Sequence, residues 1–112
     1  MHCGTYKAHT IYLTDCAYTM MDTLKRVDGP NSAEAYRQDI LVPALQRHVR
    51  VRIVINGGAY SMNYLDEVFG GLIRNGYFTC TELDEKLEIV AAFGYKYTKL
   101  AIVRFMRRAK VQ

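Results

Sequence analysis

Asp66 and Glu67 stand side by side where an apolar-periodic stretch begins. Paired carboxylates are the raw material of acid/base chemistry, because two nearby negative charges shift each other's proton affinity. With Tyr60 and Asn63 just upstream, they could form an undescribed enzyme around a pocket at one turn. Two facts weigh against that chemistry: adjacent helical residues point about 100° apart, and first-turn acids suit the positive end of a helix without reacting. No other constellation assembles. His2, His9 and His48 sit in unrelated segments, without H-E-x-x-H or paired-His spacing, and the phosphate-cradling G-x-x-x-x-G-K-[ST] and G-x-G-x-x-G patterns do not occur. Cys3, Cys16 and Cys80 are odd in number and lack C-x-x-C spacing, so neither a disulfide framework nor a zinc site is indicated. The expectation is no catalytic residue, no metal and no cofactor.

The elements that position these residues are legible around one segment, VRIVINGGAYSMNYLDEVFGGLIR, from Val51 to Arg74. Arg50 and Arg52 alternate with Val49 and Val51, after which Ile53, Val54 and Ile55 run without a break. That predicts a central strand with one wet face at its start and cover on both faces beyond. Asn56, Gly57 and Gly58 end it, and Asn63 stands where an N-cap belongs, with Asp66 three residues on. Leu65, Val68, Phe69, Leu72 and Ile73 then recur at helical spacing, and Asn75-Gly76 is a helix stop. Gly70 and Gly71 interrupt that helix at about 1 kcal/mol each, a loss that close packing can recover.

Upstream, His9 to Leu13 reads as an opening strand, and Asp15 to Val27 as a loop with a short helix or edge strand. Asp28-Gly29-Pro30 is a turn. Asn31 or Ser32 can cap a helix whose apolar stripe is Tyr36, Ile40, Leu41, Ala44 and Leu45, with Pro43 bending it or restarting its last turn. Downstream come a short capped helix from Thr79 to Lys86, a strand from Leu87 to Ala91, and a last helix capped by Thr98 with Ala101, Ile102, Phe105, Met106 and Ala109 inside. Alternating strands and helices predict an α/β fold, a small, mostly parallel or mixed sheet covered by helices.

At 112 residues, half of them apolar, the chain suits one domain over its whole length. No run approaches the ~20 apolar residues of a membrane span, and MHCGTYKAHT lacks the basic start and apolar core of a secretory signal, so a cytoplasmic protein is expected. The net charge is +4, gathered at Arg47, Arg50 and Arg52 and at Arg104, Arg107, Arg108 and Lys110. The last four can meet nucleic acid or an acidic partner, or complement the negative end of the last helix. Nine tyrosines, among them Tyr60 and Tyr64 beside the central turn and Tyr95 and Tyr97 before the last helix, suit contact surfaces and half-buried positions alike.

The matching residues Asp28-Gly29-Pro30, Ser32, Tyr36-Arg37, Leu41 with Pro43-Ala44-Leu45, Tyr60, and Leu65-Asp66-Glu67 with Phe69-Gly70-Gly71-Leu72 resemble a bacterial family, the STAS-like domain family of unknown function DUF4325. Its members carry patterns of the form DGP-x-SG-x-x-FR, LxPAL and YxSSFLDEAFGGL. The resemblance is clearest over residues 28–90, and LDEVFGGL is its most specific part. It implies a STAS-type domain with a regulatory or interaction role. In the related anti-sigma factor antagonists a serine at the strand-to-helix turn is phosphorylated by a kinase-like partner, placing nearly two charges on a contact surface. This sequence departs there: Met62 and Asn63 stand where the pattern has two serines, Ser61 is one step away as a candidate phosphorylation site, and Ala33 replaces the glycine after the first serine.

Two functions are expected on these grounds. The first is a non-enzymatic interaction module that docks another protein, a kinase-like or signalling regulator, through Tyr60, Ser61, Met62, Asn63, Tyr64, Asp66 and Glu67. The alternative is a small basic nucleic-acid-associated regulator or inhibitor using Arg104, Arg107, Arg108 and Lys110.

Overall fold

The computed structural model describes residues 8–13, 24–29 and 32–111. Three parallel strands form one open sheet in the order β1-β2-β3: β1 His9–Tyr12, β2 Val51–Ile55 and β3 Leu87–Ala91. Four helices accompany them: α1 (residues 33–47), α2 (residues 62–74), α3 Cys80–Lys86 and α4 Lys96–Arg108. The expected α/β fold with a parallel sheet is the one observed. Pro30, Asn31 and residues 14–23 lie outside the described residues.

Strand pairing sets two faces. Ile11, Ile53 and Ile89 lie in register, and with Val51 and Ile55 they join Leu41, Leu45, Leu65, Val68, Phe69, Leu72 and Ile102 in a single core. Strands added in chain order through right-handed crossovers carry their helices on one side. The other face holds Thr10, Tyr12, Arg52, Val54, Glu88 and Val90, none of them buried. The central strand therefore alternates to its end, Val51, Ile53 and Ile55 inside and Arg52 and Val54 half-buried. It does not become covered on both faces as its apolar run suggested, and Arg52 uses the outer face to pair with Glu88 at 3.0 Å.

Helices α1 and α2 each contain one wider, π-helical turn, Arg37–Leu41 in α1 and Asp66–Gly70 in α2. Each inserts an extra residue into the ladder and rotates the remainder of its helix by about 100°. In α1 the rotation turns Ile40 outward and brings Arg37 and Leu41 inward, so the expected stripe is corrected at Ile40. Pro43 comes directly after: the Val42 N–H bonds back to the Arg37 carbonyl, and the widened turn receives the proline ring that a regular helix would reject.

The caps fix where helices begin. Ser32 Oγ accepts from the Ala35 N–H at 3.0 Å, and Thr79 and Glu82 form a reciprocal capping box. Glu34 accepts from the Arg26 N–H at 2.8 Å, which ties the Arg26–Asp28 turn to α1. Helix α4 starts at Lys96 after Tyr95, two residues before the expected Thr98 cap. Asn75-Gly76 ends α2 as expected, Gly76 taking φ +77°.

Candidate functional site

Open α/β sheets present their ligand-facing loops at the carboxyl ends of the strands, and the segment between β2 and α2 lies there. Gly58 takes φ +87°, a conformation that L side chains seldom adopt. Two tyrosines fasten the turn: the Tyr60 hydroxyl donates to the Gly57 carbonyl and the Tyr95 hydroxyl to the Gly58 carbonyl, each at 2.9 Å. The second bond joins the turn to the loop after β3, where Phe93 is fully exposed.

Ser61, not Asn63, is the N-cap of α2. Its backbone is extended and its Oγ accepts from the Tyr64 N–H at 3.0 Å. Asn63 lies inside the first turn, exposed beside the half-exposed Met62. The Ser61 hydroxyl, expected one step from the cap, is therefore at the cap itself. Tyr64 is 2% exposed and belongs to the core, which removes it from any docking face. Tyr60 is half-buried and holds the turn from within.

Asp66 and Glu67 have an internal role that the sequence did not reveal. The Arg74 guanidinium donates to the Asp66 carboxylate and to the Asp66 carbonyl, both at 2.9 Å. Arg37, 2% exposed, donates to the Glu67 carboxylate at 2.8 Å and to the Glu67 carbonyl. Each arginine thus serves one carboxylate and one carbonyl of the widened turn. Each also crosses one of the two glycines: a Cβ on Gly71 would lie 2.9 Å from the Arg37 guanidinium carbon, and one on Gly70 would lie 2.6 Å from Arg74 Nη1. The acidic pair, the glycine pair and the two arginines are one structural unit. Lys25 adds an exposed contact to Glu67 at 3.2 Å. Burial by itself raises the Glu67 carboxyl, but the hydrogen bonds and charges of Arg37 and Lys25 outweigh it and hold the group below its ordinary value. Arg37 Nε is buried without a hydrogen-bond partner among the described residues.

The basic residues at the end of α4 and just after it come next to this unit. Arg104, Arg107, Arg108 and Lys110 are exposed, and no ion pair engages them among the described residues. Arg108 and Lys110 meet Asp66 and Arg74 around a cleft of about 360 Å³, with Phe105 and Val111 in its wall. The two regions singled out separately in the sequence converge there. His9 and His48 stack at 4.0 Å at the opposite end of the sheet, where β1 and β2 begin. Partial desolvation, His9 and Arg47 all push the His48 imidazole below its usual value.

Cys80 is a half-buried free thiol; Cys3, Cys16 and His2 fall outside the described residues. Among the described residues, no three His, Cys, Asp or Glu side chains gather as metal ligands, and no helix is long and apolar enough to cross a membrane. Comparison of the chain with protein-family models, curated proteins and solved structures finds no match to any of them.

Proposed function

We propose that this chain is a non-enzymatic regulatory interaction module of STAS-like type, docking a protein partner through the start of α2. The observation that carries the reading is Ser61: a hydroxyl at the helix cap, on a turn held by two tyrosine hydroxyls, beside exposed Met62 and Asn63. A rigid turn loses little entropy on binding, and a phosphate on Ser61 would meet the positive end of α2. The contact face is narrower than the sequence implied. It comprises Ser61, Met62 and Asn63, with the rim of the Asp66 cleft, while Tyr60, Tyr64 and Glu67 support it from behind.

The test is capture of partners from host lysate by wild type and by a Met62→Asp, Asn63→Arg variant, with mass spectrometry of the eluates. A protein lost only with the variant supports the reading, given an unchanged thermal transition; identical capture by both removes it.

A second reading has its own observation. After Glu88 the chain carries no acid through Gln112, while Lys96, Lys99, Arg104, Arg107, Arg108 and Lys110 are all cationic. Phe93 and Tyr97 stand exposed beside them. Cations with aromatic platforms are the ingredients of single-strand nucleic-acid binding. Retention of a labelled oligonucleotide that falls steeply with salt would favour this reading, and no retention at low salt would end it.

A further inference from the structure

The cleft between α2 and the end of α4 carries an unbalanced charge. Arg74, Arg108 and Lys110 bring three positive charges to it, and among the described residues Asp66 is the one acid in its lining. The neighbouring Glu67 carboxylate is turned away, paired with Arg37 and Lys25. The negative end of α4 takes up about half a charge more, which leaves a surplus of about +1.5.

Arg74 is the fixed member of the set. It folds back over Gly70, where a Cβ would collide with it, and its Nη1 and Nη2 each donate once to Asp66. A guanidinium has five N–H groups, and among the described residues the other three meet no acceptor. Asp66 thus holds in place a cation that still has donors to offer. Arg108 and Lys110, in no ion pair among the described residues, add mobile cations at the rim, and Phe105, Ala109 and Val111 give the cleft an apolar wall.

We propose that this cleft binds a phosphate monoester whose organic part is small and apolar. Such a phosphate carries about −1.5 to −2 charges at neutral pH and three acceptor oxygens. That matches both the surplus and the three cations, whereas a carboxylate brings one charge and two oxygens. The phosphate meets Arg74, Arg108 and Lys110, and the organic part lies against Phe105 and Val111. The volume of about 360 Å³ is at the small end of ligand sites, which run from about 300 to 1,000 Å³. Ser61, Met62 and Asn63 do not line the cleft, so the site stands whether or not a protein docks on them.

NMR titration with phenyl phosphate tests this, at about 0.15 M salt, where charges more than about 8 Å apart are largely screened. Wild type is expected to bind with a Kd of about 3 mM or below, with shifts centred on Phe105, Ala109 and the Arg74 side chain. Phenyl sulfate has the same shape with one charge, and inorganic phosphate has the charge without the ring; each should bind at least about threefold more weakly. Arg108→Glu and Lys110→Glu should each weaken phenyl phosphate at least about fivefold and keep the thermal transition. Arg107→Glu makes the same charge change in the same helical turn, but Arg107 lines the groove beside β3 and not this cleft; it should weaken binding about twofold at most. Phosphotyrosine with both main-chain ends blocked as amides separates two sources: tighter binding than phenyl phosphate assigns a phosphate carried on a protein, weaker binding a free small molecule. Absence of shifts at Phe105 and Ala109 overturns the proposal. So does a loss with Arg107→Glu as large as with the other two, or equal binding of phenyl sulfate or of inorganic phosphate.

Discussion

Gly70 and Gly71 look interchangeable in sequence, and the structure separates them. Behind Gly71 lies Arg37, fixed by burial and by its bonds to Glu67, so a methyl group there meets something that cannot move. Gly71→Ala should cost about 1–3 kcal/mol, as overpacking of a filled interior does. Over Gly70 lie the ends of Asp66 and Arg74, a partly exposed pair able to swing aside. Gly70→Ala should fall within about 1 kcal/mol of neutral, the helix propensity gained offsetting the ion pair lost. Urea midpoints of the two variants check the contrast. Glu67→Ala leaves the Arg37 charge buried without its carboxylate and should cost about 3 kcal/mol. The sequence showed that the glycines needed a reason and explained the acids by the helix start alone. It could not show that one pair of arginines answers both, because Arg37 comes from a helix thirty residues upstream.

At the scale of elements, what was legible obeyed local rules. The strand Leu87–Ala91, the Thr79 cap and the Asn75-Gly76 stop stand where alternation and capping chemistry put them. Where the cap of α2 was misplaced, the rule had two nearby candidates. Ser61 and Asn63 can both cap, and the backbone chose the residue that is still extended. Ser61→Ala should therefore lower stability by about 1 kcal/mol and Asn63→Ala by a few tenths at most, measured by thermal denaturation; the reverse order would restore Asn63 as the cap. Ile40 was misplaced because a regular period of 3.6 residues does not foresee a widened turn. The same turn made Arg37, an unpromising core residue by type, one of the largest buried side chains. Of the candidate site, the turn and the exposed pair Met62 and Asn63 could be read from sequence; the withdrawal of Tyr64 and Glu67 into the interior could not.

Among the described residues, the perturbed groups whose charge depends on mild acid act in one direction. His48 binds its proton less readily in the fold than in the unfolded chain, so its contribution is complete above its ordinary value near 6.5 and is lost as pH falls through the lower folded value. Glu67 and Asp39 are held below their ordinary values, Glu67 against its burial by Arg37 and Lys25, Asp39 by its hydrogen bond with Arg26. Their contributions are complete above about pH 4.5 and lost below it. Stability should therefore fall in two stages on acidification, and His48→Gln should flatten the upper stage alone, as urea midpoints across pH 4 to 8 would show. The order β1-β2-β3 reaches beyond equilibrium, to how the chain is made. Each strand joins beside the one synthesised just before it, so a nascent chain can extend its sheet unit by unit without waiting for a distant partner. Helix α4 is the exception. Ile102 and Met106 arrive last and close the core beside the widened turn of α2, so translation has its most vulnerable interval between the emergence of β3 and of α4.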